Sequence, residues 1–571
     1  MKNRKTLSIQ LAISSGIIIL ILLGIIGNFI WIFENRAISG EDVPNHLLFS
    51  VEAFYKISDI INSANTAILS KILSIIGLLS APIPHMNPTY SNLVYLLTSP
   101  FYIIFGKTLF TARLSNFTYL IILLLAAYIL GKKTGNKLIG LTSMLIISLH
   151  PLIFGSLRQF GLDLPLTAIT TLTVLLLIAS DDLRSFAWAF LIGLCLGIGI
   201  LIKPQILIFA LGPLVYISIR AINRTHSACT KNTVFKIAVI VLLAGIIATN
   251  WPVTKIEPGL KTFFSFSWIR TAYNAQDLLY FKDLVFNVIG MPLFIFFLPC
   301  TYLFLKKNMR YKYIYLLWII IPILFFQLSF SLFWFCERFL MPVIPAIAIT
   351  VSWTLWNLRN IKLRNVLLSL IVIMMSIQFT YLTYIDINTY RSIDYVKNYF
   401  WHISKSPLKL FNTTSYNDIS FKGDLYKISE LLKHVTGKSD PTNKTQILTV
   451  LLTPGDPKAF EMRYWFRNHN PDLELIDFSV MFETAYRTMD TLDFIILRLP
   501  DKDEFKDWPG YLTFLKLIKK STDSHSYKRL LSTNLKLKLR HKLYDDIRHQ
   551  FNLISEVRTK LGFKWLIYKK Y

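Results

Sequence analysis

The stretch "LAISSGIIILILLGIIGNFIWIF", Leu11 to Phe33, decides the fold, because it is long, apolar and free of charged residues. A helix needs about 20 apolar residues to span the hydrocarbon core of a bilayer. The basic segment "MKNRK" precedes the run, as in a signal peptide, but the run is long for one and "NRAISGED" offers no small-residue cleavage site. We therefore predict a retained first transmembrane helix.

The composition extends this prediction to the whole chain. Of its 571 residues, 53% are hydrophobic and 14% aromatic, which is too apolar for a soluble globular protein of this size. The net charge of +27 could suggest a nucleic-acid partner, but much of the Lys and Arg lies in short connectors between apolar runs, where it indicates membrane topology. The chain is predicted to be a polytopic α-helical membrane protein that binds no nucleic acid.

Further apolar runs bring the predicted number of transmembrane helices to about eleven. They are Leu114–Leu130, Leu138–Phe154, Leu164–Ala179, Phe186–Ile202, Ile206–Ile219, Val234–Asn250, Leu284–Leu305, Ile314–Phe335, Phe339–Trp356 and Val366–Tyr384.

The apolar segment Leu93–Phe105 is shorter than a span and contains Pro100, which favours a helix lying in the membrane interface. If it does not cross, the basic connectors "GKKTGNK", "RAINRTHSACTKNTVFK", "KKNMRYKY" and "RNIKLRN" all fall on the cytoplasmic side, as the positive-inside rule requires. The same parity places everything after Tyr384 outside the cytoplasm. We predict a transmembrane module over residues 1–384 and an extracytoplasmic α/β domain over residues 385–571, with "QILTVLL" and "DFIILRL" as strands.

This topology collects ionisable residues in the outer connectors. Such groups at the hydrocarbon edge usually face a cavity or pair with one another, so they are candidates for a functional site. The candidates are Glu41, Asp42 and His46, then Arg158 and Asp163, Lys203, Arg270, and finally Glu337 and Arg338. Each has a structural alternative. Glu41 and Asp42 could lie in a hydrated loop or cap a helix, Lys203 could anchor the chain at the interface, and Glu337 and Arg338 could form an ion pair at a helix end.

Several motifs, in their order and spacing, resemble those of the GT-C polyprenyl-phosphate-dependent glycosyltransferases, in particular the protein O-mannosyltransferase-like and aminoarabinose-transferase-like groups. The resemblance covers about Met1 to Tyr384 and implies a GT-C-type bundle with interfacial helices. The motifs are "GED" with His46, "NPTYSNLVYLL", "GKTLFTARLSN", "GLDLPLTA", "GLCLGIGILIKPQ" and "ERFLMPVIPAIAI".

The resemblance implies a mechanism for the first acidic pair. An acidic residue of the first outer loop takes the proton from an acceptor hydroxyl, or positions it, and here that role falls to Glu41 or Asp42. Their order is the reverse of the family's usual Asp-Glu, so the choice between them stays open. Asp163 matches the second outer acidic position, where a carboxylate organises the sugar or the first loop.

Cations must neutralise the charge that develops on the leaving lipid phosphate. Our candidates, in descending order, are Arg338, Lys203, Arg270 and Arg158. Aminoarabinose-transferase-like relatives carry a phosphate-contacting Lys before Pro, whereas this chain has Asn87 before Pro88, so phosphate binding must depend on the other cations.

The resemblance also implies the partners. The donor is a polyprenyl-phosphate sugar in the membrane lipid, since the chain lacks a Gly-rich phosphate loop and an Asp-x-Asp motif for a nucleotide sugar. The expected activity is that of an inverting hexosyl- or pentosyltransferase in the cell membrane, with no required cofactor. A divalent metal held by His46, His85 and the acidic pair stays an open alternative, as does the acceptor. A transporter or lipid flippase is the competing class, although no repeat is visible.

Overall fold

The computed structural model describes residues 2–34, 43–63, 68–80, 91–224, 227–248, 284–307, 309–330, 337–380 and 383, together with the strands 445–451, 473–477, 494–500, 551–558 and 563–570. By internal contacts the chain divides into two compact units. The first comprises Met1–Arg36, Ala53–Thr389 and Lys405–Tyr416, and the second comprises Ala37–Glu52, Tyr390–Ser404 and Asn417–Tyr571.

The first unit is built of helices, which follow the apolar runs because a backbone in lipid must satisfy its own hydrogen bonds. The helices are α1 (Lys2–Glu34), α2 (Val43–Asn62), which begins within the second unit, α3 (Ile68–Ser80), α4 (Leu93–Phe105), α5 (Leu109–Thr134), α6 (Lys137–Ser148), α7 (Pro151–Arg158), α8 (Asp163–Ala179), α9 (Phe186–Ile202), α10 (Ile206–Arg224), α11 (Ser227–Ala248), α12 (Met291–Lys306), α13 (Lys312–Phe330), α14 (Ile344–Trp356) and α15 (Ile361–Thr380). A π-helical turn, Leu284–Ile289, precedes α12, and a 3₁₀ segment, Glu337–Val343, leads into α14.

Six described helices are long and apolar enough to cross a membrane, and a seventh span results if α6 and α7, bent by 57° at their junction, are counted as one. The chain is therefore a multi-pass membrane protein. Helices α8, α9 and α12 and the apolar part of α13 are shorter, so the predicted total of about eleven spans stays a prediction. The six are Leu11–Phe33, Leu109–Thr134, Ile206–Arg224, Lys231–Ala248, Arg338–Trp356 and Ile361–Thr380.

Helix α4 has the bounds predicted for the interfacial segment. Its 13 residues rise about 20 Å, less than the roughly 30 Å of a hydrocarbon core. One side is buried, including Tyr95 and Tyr102, while Ile103 and Ile104 are exposed. The length fits a helix that does not span, and its lie along the interface stays a prediction.

Helices α8 and α9 form a hairpin that places the candidate site. Each has 17 residues, so a residue at the start of α8 and one just past the end of α9 come to the same end of the pair. At the other end, the chain reverses through three consecutive residues with positive φ, Asp181, Asp182 and Leu183. Ionic contacts hold this turn in its left-handed backbone conformation, which is costly for a residue such as Leu183.

Those contacts join the turn to α10 and to the α12–α13 connector. Asp182 lies 3.2 Å from Arg220 Nε and 3.1 Å from Arg310 Nη2, and it also pairs with Arg224. Arg310 pairs in addition with Asp181. The hairpin is thereby fixed to α10 and to the α12–α13 connector at the end remote from Asp163.

The described strands of the second unit, β1 (Thr445–Leu451), β2 (Leu473–Asp477), β3 (Phe494–Pro500), β4 (Phe551–Arg558) and β5 (Phe563–Lys570), form one mixed sheet of order β2-β1-β3-β5-β4. Strand β1 is parallel to β2 and β3, whereas β5 is antiparallel to β3 and β4. Both apolar runs predicted as strands are strands. The residues that would supply the helices of the predicted α/β domain lie outside the described ranges, so that part stays a prediction.

Candidate functional site

The structure brings together three residues predicted for the site from three different connectors. Lys203 Nζ lies 2.6 Å from Asp163 Oδ1, and Arg338 Nε lies 3.5 Å from Asp163 Oδ2. The side chains of Lys203 and Asp163 are buried, whereas that of Arg338 is 26% exposed. We call Asp163, Lys203 and Arg338 the Asp163 cluster.

Lys203 is placed by the way α9 ends. It is the C-cap residue of α9, and its backbone N–H donates to the carbonyl of Gly199 at 2.9 Å. A Cβ atom on Gly199 would lie 2.0 Å from the Cδ1 atom of Ile206, so the glycine allows α10 to start tightly against α9. Ser91 donates to the carbonyl of Leu201 at 2.7 Å, which joins the segment before α4 to the same helix end.

Asp163 is the first residue of α8, where a carboxylate interacts favourably with the positive end of the helix dipole. Its backbone carbonyl accepts a hydrogen bond from the Thr167 hydroxyl at 2.8 Å. Asn116 of α5 donates to the carbonyls of Leu157 and Gln159 at 3.2 and 2.7 Å, which secures the connector before Asp163. The carboxylate is thus presented from a fixed backbone.

An aromatic ring lies beside the cluster. Lys203 Nζ is 5.1 Å from the ring centroid of Phe339, the residue after Arg338. The sequence reasoning missed Phe339, although its position next to Arg338 in "CERFLMPVIP" was the available signal.

Arg158 lies in a different environment. Its Nε donates to Asn28 Oδ1 at 2.8 Å, and its Nη2 donates to the Thr383 hydroxyl at 2.7 Å. The guanidinium carbon lies 4.8 Å from the ring centroid of Trp31 and 4.6 Å from that of Phe154. Arg158 is almost fully buried, and these contacts give it a packing role that the sequence did not indicate. Its predicted contact with the donor phosphate stays a prediction.

The remaining predicted site residues are described only in part. His46 lies in the first turn of α2 and is buried. Glu337 begins the 3₁₀ segment that carries Arg338, but its side chain is outside the described part. Glu41, Asp42, His85 and Arg270 also lie outside the described residues.

A metal site is not evident in the described ranges, where no group of three or more His, Cys, Asp and Glu side chains is close enough to hold an ion. The two histidines and the acidic pair of the metal alternative are not all described, so that alternative stays open.

The Asp163 cluster has the chemistry needed for a sugar phosphate. Ammonium and guanidinium groups make the stronger, charge-assisted hydrogen bonds to phosphate oxygens, and a carboxylate accepts from sugar hydroxyls. Because the groups come from separate connectors and are largely buried, a ligand held there would meet fixed charges with little competing water.

Comparisons with known proteins give one family-model match and several similar folds. The family model described as dolichyl-phosphate-mannose-protein mannosyltransferase matches residues 91–251, which include Asp163 and Lys203. No curated protein sequence matches the chain.

Two solved structures of ArnT from Cupriavidus metallidurans have a similar fold. The apo structure matches with a TM-score of 0.56 and 13% sequence identity, over 97% of this chain and 98% of that one. The structure bound to undecaprenyl phosphate matches with a TM-score of 0.54 and 12% identity, over the same 97% and 98%. At these identities the likeness shows the fold.

The fold and the matched segment together confirm the predicted resemblance to the GT-C polyprenyl-phosphate-dependent glycosyltransferases.

Proposed function

We propose that this protein is an integral-membrane, inverting glycosyltransferase. It moves a hexosyl or pentosyl group from a polyprenyl-phosphate-linked donor to an acceptor hydroxyl at the outer face of the cell membrane. The observation that carries the proposal is the Asp163 cluster, in which a buried carboxylate and two cations from three connectors meet at one end of the α8–α9 hairpin.

The reaction requires a base, an electrophile and a stabilised leaving group. The acceptor hydroxyl gives its proton to Asp42 or Glu41, and its oxygen forms a bond to the anomeric carbon of the sugar. The bond from that carbon to the phosphate oxygen breaks, and polyprenyl phosphate leaves with the electron pair. Attack from the face opposite the phosphate inverts the anomeric configuration.

The two cations of the cluster act on the leaving phosphate. Lys203 and Arg338 donate hydrogen bonds to its oxygens as negative charge develops, which stabilises the transition state more than the ground state. Arg270 and Arg158 are further candidates for this contact. Asp163 holds Lys203 and Arg338 in place and accepts a hydrogen bond from the sugar.

A lipid-carried donor fits the rest of the molecule. The family model matched by residues 91–251 is described by a dolichyl-phosphate donor, and one ArnT structure with this fold was solved with undecaprenyl phosphate. A donor whose tail stays in the bilayer needs a site at the membrane surface, which is where the predicted topology puts the Asp163 cluster.

The topology has its own test. An impermeant thiol reagent should label a Ser415→Cys variant on intact cells, since every residue after Tyr384 is expected outside the cytoplasm. The variant is made in a background with Cys229 and Cys336 replaced by Ser, and the remaining Cys195 and Cys300 are buried. Labelling that appears only after lysis contradicts the proposed orientation.

The activity is tested with the purified protein in lipid nanodiscs. It is incubated with a panel of polyprenyl-phosphate sugars and candidate acceptors, and released polyprenyl phosphate is measured. The proposal expects release with at least one donor, and loss of that release in Lys203→Met that is shown to be folded by its melting temperature. The control is Lys312→Met, because Lys312 Nζ, at the start of α13, donates to the carbonyls of Leu305 and Lys307 at the end of α12.

The same protein reconstituted in liposomes distinguishes the proposed enzyme from the competing class, a lipid flippase. Movement of a labelled lipid-linked sugar between the leaflets without any release of polyprenyl phosphate would favour a flippase and refute the enzyme.

A further inference from the structure

The ammonium of Lys203 is in contact with an aromatic ring as well as a carboxylate. Its Nζ lies 5.1 Å from the ring centroid of Phe339 and 2.6 Å from Asp163 Oδ1. Lys203 is 5% exposed, so little water competes for the charge. A cation near the face of a ring is attracted by the ring quadrupole, and the attraction is stronger where water is excluded.

The ring of Phe339 is itself held in position. It stacks on Phe326 of α13, with ring centroids 6.1 Å apart and planes inclined by 30°. Phe326 contacts Phe209 of α10, with centroids 6.3 Å apart, and Phe209 is fully buried. We call Phe339, Phe326 and Phe209 the aromatic column.

The aromatic column connects the elements that supply the cations. Phe209 lies on α10, which begins soon after Lys203, and Phe339 follows Arg338 in the 3₁₀ segment. A shift of α13 or of the 3₁₀ segment would therefore move the ring away from the ammonium. A lysine has a long flexible stem, so its ammonium needs contacts on more than one side to stay at one point.

We propose that Phe339 is a positioning residue that holds the Lys203 ammonium, through its ring face, in the direction from which it donates to the donor phosphate. This inference rests on the proposed function. The carboxylate of Asp163 fixes the ammonium from one side and the ring of Phe339 from another. Phe339 itself needs no contact with the sugar or the phosphate.

The ring quadrupole can be weakened with little change in size. Phenylalanine analogues with one, two and three ring fluorines are introduced at position 339 by nonsense suppression. Each added fluorine should lower kcat further, with a total loss of roughly 3- to 30-fold and a smaller change in KM, because the phosphate charge develops in the transition state. A ring that only fills space would give no graded loss.

The control is the same series at Phe304, a buried ring packed edge-on against Tyr315 and Trp353, with no cation over its face among the described contacts. Fluorination there should leave kcat unchanged. Phe339→Trp, which keeps a strong ring face, should retain more activity than Phe339→Leu.

A second measurement does not depend on activity. The melting temperature is compared for the parent, Phe339→Leu, Lys203→Met and the double variant. The inference expects coupling: Phe339→Leu lowers the melting temperature more when Lys203 is present than when it is replaced by Met. Equal effects in both backgrounds would overturn it.

The two measurements keep the inference separate from the proposed function. If the parent transfers no sugar from any donor, the proposed function fails, while the thermal coupling still decides whether the ring holds the ammonium. If the parent is active but the fluorine series is flat and the coupling is absent, the function stands and the role of Phe339 is wrong.

Discussion

Replacing Asp163 by Asn tests the Asp163 cluster most directly, but the structure predicts that this single change damages the fold as well as the chemistry. The carboxylate receives the Lys203 ammonium at 2.6 Å, and the two side chains are only 11% and 7% exposed. Removing one partner of a buried ion pair leaves an uncompensated charge, which typically costs about 3 to 5 kcal/mol. An inactive Asp163→Asn variant would therefore be ambiguous.

The double variant Asp163→Leu with Lys203→Met resolves the ambiguity. Replacing both members of a buried ion pair by hydrophobic residues of similar volume is often close to neutral for stability. We expect the double variant to recover most of the stability lost in Asp163→Asn, as measured by its melting temperature in detergent. Its activity should not recover, because the loss of one stabilising donor at a developing charge costs on the order of 100-fold or more in kcat.

Asp182 supplies the matched control. As whole residues, Asp182 and Asp163 are each 8% exposed, and Asp182 pairs with arginines at the opposite end of the same hairpin. Asp182→Asn should lower the melting temperature while the folded fraction keeps the parent kcat. If the double variant at Asp163 and Lys203 transfers sugar at the parent rate, the ion pair is only structural and the site lies elsewhere.

Three further predictions follow from the same arrangement. Glu41→Gln and Asp42→Asn, made separately, should leave the protein folded, and one of them should lower the transfer rate roughly 10²- to 10⁴-fold, as the loss of a general base does. If both single variants and the double variant transfer sugar at the parent rate, the mechanism is refuted. Arg338→Ala should lower kcat/KM for the donor by a factor that corresponds to on the order of 1.5 to 3 kcal/mol. Arg359→Ala, at an exposed site, should leave kcat/KM unchanged. At Asp181, burial raises the pKa, but the charge of Arg310 and the hydrogen bonds from Arg310 and Tyr311, with the charge of Arg224, together lower it below its ordinary value. The stabilisation is therefore present above about pH 4 and is lost as the pH falls through the folded-state pKa, so melting temperatures at pH 5 and pH 3 should differ less in Asp181→Asn than in the parent.

The helices were the most predictable part of the fold. Apolar runs such as Leu11–Phe33 and Ile361–Thr380 are helical because lipid leaves the backbone no other partner, so hydropathy alone locates them. The bounds of α4 were also predicted, since Asn92 and Gly106 flank a short apolar segment. The number of spans was less predictable, because α8 and α9 have only 17 residues each and length alone does not separate a short span from a buried helix.

That Asp163, Lys203 and Arg338 come together was predictable, but their individual contacts were not. Counting basic connectors put Asp163, Lys203 and Arg338 in outer loops, and these three residues meet in the structure. The pairing of Asp163 with Lys203 depends on the equal lengths of α8 and α9, and hence on where the Asp181–Leu183 turn reverses the chain. A hydropathy profile gives helix ends only to within a few residues, which is too coarse to predict a 2.6 Å contact.

Arg158 and Lys203 show why residue type and membrane face do not determine a role. Both are buried cations that the predicted topology places on the outer face, and each lies over at least one aromatic ring. Arg158 donates to Asn28 and Thr383 and lies over the rings of Trp31 and Phe154, and a planar guanidinium suits a fixed position among rings. Lys203 instead contacts the Asp163 carboxylate, beside the second cation Arg338 and close to the N-terminus of α8, so it is surrounded by charged groups. Neutralising Lys203 should therefore reduce sugar transfer from an anionic donor. Neutralising Arg158 first removes the hydrogen bond to Asn28 that joins α7 to α1.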